Sequence, residues 1–211
     1  MKEDLTVSDS KRLFHKSFPY VIPAIYKRVA DEILVELNLL KHQKGFEEDA
    51  FFSFGIKSIF NELTQGYNPE NHLDPLFEAL CKSTGFDSTL ISESASITLE
   101  LFKEKSFKDI SKFLIVDLKE KSGHFKTNNK YYSRIIPIGI FKIISLSKDI
   151  KEIEESSTKA KTNEIMSLLK FEDSRAEKDL NNYKNSIKKL TQAIELIKET
   201  IKEGREKRGL K

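Results

Sequence analysis

The chain has 211 residues, 38% hydrophobic and 33% charged: apolar enough for one good-sized core, and too apolar for a chain disordered throughout. Its one cysteine, Cys81, excludes an intrachain disulfide, and the run LFEALC around it reads as a small buried hydrophobe rather than a reactive thiol. The net charge of +3 hides an asymmetry: from Ser174 onward 11 Lys and Arg face 6 Asp and Glu, a net of +5 that leaves −2 for residues 1–173.

At the N-terminus, MKEDLTVSDS has mixed charge and lacks the apolar stretch of a secretory signal, so the chain is expected to begin near Met1 and stay where it is made. Ser8 or Asp9 is expected to cap a short helix through Lys16, with Pro19 and Pro23 restricting the turn that follows. Residues 24–40 then read as a helix. Ile25, Val29, Ile33, Leu37 and Leu40 form its stripe, and Tyr26, Ala30, Leu34 and Val35 widen the stripe until only a narrow face meets water, which predicts a central helix. Arg28, Asp31, Glu32 and Glu36 must share that face or find partners, because an isolated buried charge is too costly. Arg12, Arg28 and Glu32 are therefore candidates either for an exposed docking face or for ion pairs inside the bundle.

Phe52, Ile56, Ile59, Phe60 and Leu63 set a second helical stripe over 50–64, stopped by Gly66. In QGYNPE, residues 65–70, the turn formers Gly66, Asn68 and Pro69 mark a helix stop and restart, with Tyr67 packed over the joint and a further helix running towards Lys82. Residues 86–105 give a weaker helix, and 106–119 a short one, although the run FLIV also suits a buried strand. SGHFKTNNK, 122–130, reads as a loop. Residues 131–146 are apolar almost all round and predict a buried helix that Pro137 should bend or interrupt. The charged, Ser/Thr-bearing stretch 148–163 is the best candidate for a hinge, followed by a brief amphipathic turn or two at 164–171.

From Ser174 to about Glu203 there is neither Gly nor Pro, and Leu180, Tyr183, Ile187, Leu190, Ile194, Ile197 and Ile201 recur at alternating steps of three and four. Such a heptad seam over thirty residues extends about 45 Å, more than a compact body easily covers, so part of it should project. The seam fits packing on the protein's own helices, a partner-binding or coiled-coil arm, or a lipid-binding helix. Flanking Lys184, Ser186, Thr191, Ala193, Lys198 and Thr200 lack the opposing charges that specify a homodimer, so a homo-oligomer is not indicated. Beyond it, Lys202, Arg205, Lys207 and Arg208 form a basic cluster suited to an anionic membrane surface.

Catalytic patterns are missing. The histidines at 15, 42, 72 and 124 make no metal-ligand spacing, Glu32 and Glu36 have no helical histidine beside them, and nucleophile-elbow and P-loop glycines are absent. No enzyme, metal or cofactor is expected. The basic end keeps nucleic-acid binding open as an alternative, but no aromatic follows Tyr183 to stack on bases, and lysine outnumbers arginine 30 to 6. The longest uninterrupted apolar run, 135–141, is far short of the roughly 20 residues of a membrane helix. Together these readings give an all-α protein: a compact helical bundle over 1–147, a charged hinge and short helix over 148–173, and a long, partly projecting basic helix over 174–211.

The segments TVSDSKR and IYKRVADEILVELNLL, then FGIKSIFNELTQGYNPE and LFEALC, then YYSRIIPIGIFKII and finally KDLNNYKNSIKKLTQAIELIKETIKEGREKR resemble the thylakoid formation protein family. The likeness spans nearly the whole chain and is weakest in the middle third. It implies a helical, non-enzymatic factor in thylakoid membrane biogenesis and photosystem II assembly and repair, associated with FtsH-type membrane proteases at the cytoplasmic face of the thylakoid. Peripheral contact with anionic thylakoid lipid fits the same picture.

Overall fold

The structure, a computed structural model, describes residues 5–120, 125, 131–207 and 209. Among these it holds nine α-helices and no strand: α1 Val7–Ser17, α2 Ala24–Lys41, α3 Ala50–Leu63, α4 Leu73–Ser83, α5 Ser88–Phe102, α6 Phe107–Glu120, α7 Ile135–Ile144, α8 Glu155–Leu168 and α9 Asp173–Lys207. The protein is all-α. Short 3-10 turns, Glu70–His72 and Ile150–Glu152, precede α4 and α8.

Local signals set most of the helix ends, though the first cap is Thr6 rather than Ser8 or Asp9. The Thr6 hydroxyl accepts the Asp9 N–H while the Asp9 carboxylate accepts the Thr6 N–H, a capping box that satisfies two otherwise orphaned donors. The Thr6 hydroxyl also donates to that carboxylate at 2.7 Å, and this bond first, then the one from the Thr6 N–H, holds the Asp9 carboxyl below its ordinary range. Asp49 and Asp87 cap α3 and α5 more simply, their carboxylates accepting first-turn N–H groups from Phe52 and from Thr89 and Leu90. After α3, Gly66 takes the left-handed conformation (φ 75°) that stops the helix. Tyr67 then folds in beside Tyr26, ring centroids 5.0 Å apart, and the Tyr26 hydroxyl donates to the Gln65 carbonyl. The 65–70 segment thus works as a packed joint, with helix resuming at Leu73 after the 3-10 turn.

The central element is a pair of helices, α3 and α7, rather than α2. One face of the pair gives Phe52, Ile56, Phe60, Ile135 and Ile138 to a core shared with α1, α2, α4 and α9. The opposite face gives Phe51, Phe54, Ile136, Ile140 and Ile143 to a second core shared with α5, α6 and α8. This explains why α7 is apolar all round. It also corrects the reading of α2, which buries Tyr26, Ala30, Ile33, Leu34, Leu37 and Leu40 on one side but leaves Lys27, Arg28, Asp31, Glu32 and Leu39 exposed. The α3 and α7 backbones approach until Gly55 and Gly139 face each other: a Cβ on Gly139 would lie 2.0 Å from the Phe51 carbonyl oxygen.

Pro137 does not interrupt α7. It is the third helical residue, in the first turn, where backbone N–H groups have no intrahelical partner to lose. The stretch expected as a hinge is mostly helix, since α8 buries Thr158, Thr162, Ile165 and Met166 against α6, α7 and α9. Its charged residues line the outer face while a narrow inner stripe packs. FLIV belongs to helix α6, with Ile110 and Leu114 fully buried. Of the expected loop 122–130, only Phe125 is described; it plugs the second core between Phe51 and Phe102, ring centroids 5.1 and 5.4 Å away. Cys81 is buried, and burial pushes its thiol up to about 12, so it is not a reactive nucleophile.

Candidate partner-binding site

The C-terminal seam divides in two. Leu180, Tyr183 and Leu190 are buried in the first core, and Ile187 and Ile194 pack on its edge. Past Glu195 the helix leaves the body: Leu196 is 64% exposed, Ile197 41% and Ile201 51%. At 35 residues α9 runs about 52 Å, and its last three turns reach beyond the hydrophobic clusters that hold the rest.

Polar contacts reinforce the bound part. The Tyr183 hydroxyl donates to Glu62 on α3 at 2.8 Å, and Lys142 on α7 pairs with the same carboxylate. Tyr132, just before α7, donates to Asp179 at 2.7 Å, with the Arg175 guanidinium 4.1 Å from its ring centre. Both phenols are pushed up from their ordinary range, first by burial and then by the carboxylate each one faces. Lys184 reaches Glu155 on α8 and lies over the Phe141 ring. None of these pairs was legible in the sequence, because Tyr132–Asp179 and Glu62–Tyr183 span 47 and 121 residues and show no local spacing.

The basic cluster is only partly described. Lys202 and Arg205 are exposed; Lys207 ends α9, with its side chain outside the description, and Arg208 lies outside the described residues. Acidic residues alternate with them. Over 195–207, Lys198, Lys202, Arg205 and Lys207 are matched by Glu195, Glu199, Glu203 and Glu206, so the projecting end is amphipathic but carries no net charge.

The candidates on α1 and α2 neither gather on one docking face nor pair inside the bundle. Arg12 bonds Asp9 within α1, and Arg28, 89% exposed, bonds Glu32 one turn along α2, as surface pairs that add little stability. Arg28 and Glu32 do line a shallow groove with Lys27, Asp31, Glu36 and Arg134, from which Arg12 is absent. Deeper, between α2, α3, α7 and α9, lies a cavity of about 90 Å³, floored by Ile33, Ile56, Ile59 and Ile138, with the Glu36–Arg134 pair (3.1 Å) at its rim. No cluster of three or more His, Cys, Asp or Glu placed to hold a metal occurs among the described residues. Nor is any described helix long and apolar enough to cross a membrane.

Fold and surface together define a helical bundle whose last helix is clamped to the body for about two thirds of its length and free for the rest. The sequence model of the thylakoid formation protein family matches residues 6–211. Protein Thf1 of Prochlorococcus marinus subsp. pastoris strain MED4 is 48% identical over 209 residues, covering 99% of this chain and all of that protein. Protein Thf1 of P. marinus strain MIT 9312 is 51% identical over 94% of this chain and 95% of its own length. Among solved structures, Psb29 matches with a TM-score of 0.84 and 25% identity, over 97% of this chain and 98% of that one. The chain belongs to the thylakoid formation protein family.

Proposed function

We propose that this protein is a non-catalytic accessory factor in thylakoid membrane biogenesis and photosystem II assembly and repair. It acts peripherally on the cytoplasmic face of the thylakoid, in association with an FtsH-type membrane protease complex. The observation that carries the reading is the end-to-end match to the thylakoid formation family. The projecting end of α9 supports a docking role: an amphipathic helix with Leu196, Ile197 and Ile201 unburied is suited to lie in a partner's groove, its alternating charges meeting the polar rim. Lys202 and Arg205 at the same end face anionic thylakoid lipid only as a weak, salt-sensitive contact, because Glu199, Glu203 and Glu206 stand between and beside them.

The test is a pull-down from solubilised thylakoid membranes with the full chain as bait. Cutting at residue 173 would strip Ala176, Leu180, Tyr183 and Leu190 from the cores, so the informative truncation ends at Glu195, alongside a full-length L196Q/I197Q/I201Q variant. Recovery of the protease by the full chain and its loss with both variants is the expected result. Undiminished recovery would refute the arm as the docking element, and no recovery by the full chain would refute the protease as partner.

A further inference from the structure

The connection between α1 and α2 carries a feature that the α9 arm does not use. Between Asp9 and Asp31 the chain has no acidic residue but five basic ones, Lys11, Arg12, Lys16, Lys27 and Arg28. Lys11, Arg12 and Arg28 pair with Asp31, Asp9 and Glu32, whereas Lys16 and Lys27 have no ion pair or hydrogen bond among the described residues. Lys16 stands in the last turn of α1 and Lys27 in the first turns of α2, so they flank the connection from both sides.

At its tip the connection presents apolar side chains to water. Val21 is 85% exposed and Tyr20 46%. They do not hang loose: Phe18 is buried against Phe14, Tyr20 stacks on His72 with ring centroids 3.8 Å apart, and Pro19 and Pro23 fix two of the backbone angles. A pre-ordered loop that holds a valine and a tyrosine outward loses little conformational entropy when they are covered. Tyrosine, with an apolar ring and a polar tip, suits the level of lipid headgroups, and unpaired lysines on either side suit lipid phosphates. Asp9, Asp31 and Glu32 are taken up by Arg12, Lys11 and Arg28, and Glu70 and Asp74, in the segment that supplies His72, equal Lys16 and Lys27 in number, so the attraction to phosphate rests on these two lysines being free of ion pairs rather than on net charge.

We propose that this loop is an interfacial anchor: Val21 and Tyr20 enter the headgroup region of an anionic bilayer while Lys16 and Lys27 lie against lipid phosphates. The anchor adds a direct lipid contact to the peripheral reading above and operates without the protease.

The chain contains no tryptophan, so Tyr20→Trp places a single reporter at the tip. The full-length protein is tested by flotation with vesicles of phosphatidylcholine alone and of phosphatidylcholine with phosphatidylglycerol, and by quenching with brominated lipid. Flotation with the anionic vesicles at low salt is expected, with a blue-shifted tryptophan emission from the Tyr20→Trp variant that the brominated lipid quenches. Val21→Asp should lower the apparent partition by about tenfold, Val21→Ser by less, and Lys16→Gln and Lys27→Gln by about fivefold each. Circular dichroism of Val21→Asp should match the parent, since the residue is exposed, and K202Q/R205Q run in parallel separates the α9 end. The proposal is overturned if the protein does not float, if Val21→Asp floats like the parent, or if the reporter tryptophan stays unquenched on floating protein. Loss of protease recovery by Val21→Asp with vesicle binding intact would make the loop a protein contact, and also overturns it; loss of flotation with protease recovery intact supports it.

Discussion

Gly139→Ala tests the central claim about the fold, that two glycines let α3 and α7 run backbone to backbone. The added Cβ would lie 2.0 Å from the Phe51 carbonyl oxygen, 3.0 Å from its carbon and 3.2 Å from the Gly55 Cα. All three are backbone atoms, so no rotamer change relieves the contact, and the helices must part by about 1 Å or more. Parting them loosens both cores, because Ile135 and Ile138 pack on one side of the pair and Ile136, Ile140 and Ile143 on the other. Overpacking of this kind costs about 3 kcal/mol, from which the better helix propensity of alanine recovers about 1. The expected net loss is about 2 kcal/mol or more, a sizeable part of a typical folding stability of about 5–15 kcal/mol. Urea unfolding followed by far-ultraviolet circular dichroism reads it as a lower midpoint. Gly204→Ala, where a Cβ meets nothing within 4 Å, is the control and should leave stability unchanged or slightly raised. A Gly139→Ala midpoint at or above that of the parent would refute the close approach of the two helices.

Two further outcomes follow from α9. Leu180→Ala should cost about 2–5 kcal/mol in urea unfolding because Leu180 is fully enclosed, while Ile201→Ser should stay within about 0.5 kcal/mol; equal losses would show that the whole helix is packed. Tyr132 and Tyr183 bear on pH: their folded values lie above the ordinary tyrosine value of 10.0, so the folded chain keeps protons that the unfolded chain releases. Their contribution is complete below pH 10 and is lost as the pH rises beyond it. Tyr183→Phe should lower stability at neutral pH by about 1 kcal/mol and flatten the alkaline decline; an unchanged slope above pH 10 would count against the buried phenol.

Helix α7 shows how far the sequence reaches and where it stops. Its composition announced burial on every side, yet Pro137 suggested a break, because the helix start cannot be placed from composition when no side-chain cap marks it; Arg134 at the N-cap makes no such bond. In the stretch 148–173, a run of charges concealed a helix whose buried stripe is carried by Thr158, Thr162, Ile165 and Met166, two of them polar. The three-and-four spacing of the α9 seam is legible in the sequence, but its division is not: Leu180 and Ile201 occupy equivalent seam positions, and only the length of the body beneath them sets one inside and the other in water.

The sequence by itself determined the helical class, the approximate place of most of the helices and the family, because periodicity, turn residues and motif order are local properties of the chain. Tertiary structure alone decided that α3 and α7, rather than α2, form the centre, since that depends on Gly55 and Gly139, far apart in the chain, meeting face to face. It also decided which charges are clamps and which are free, because Glu62, Asp179 and Lys27 are indistinguishable until their neighbours across the fold are in place.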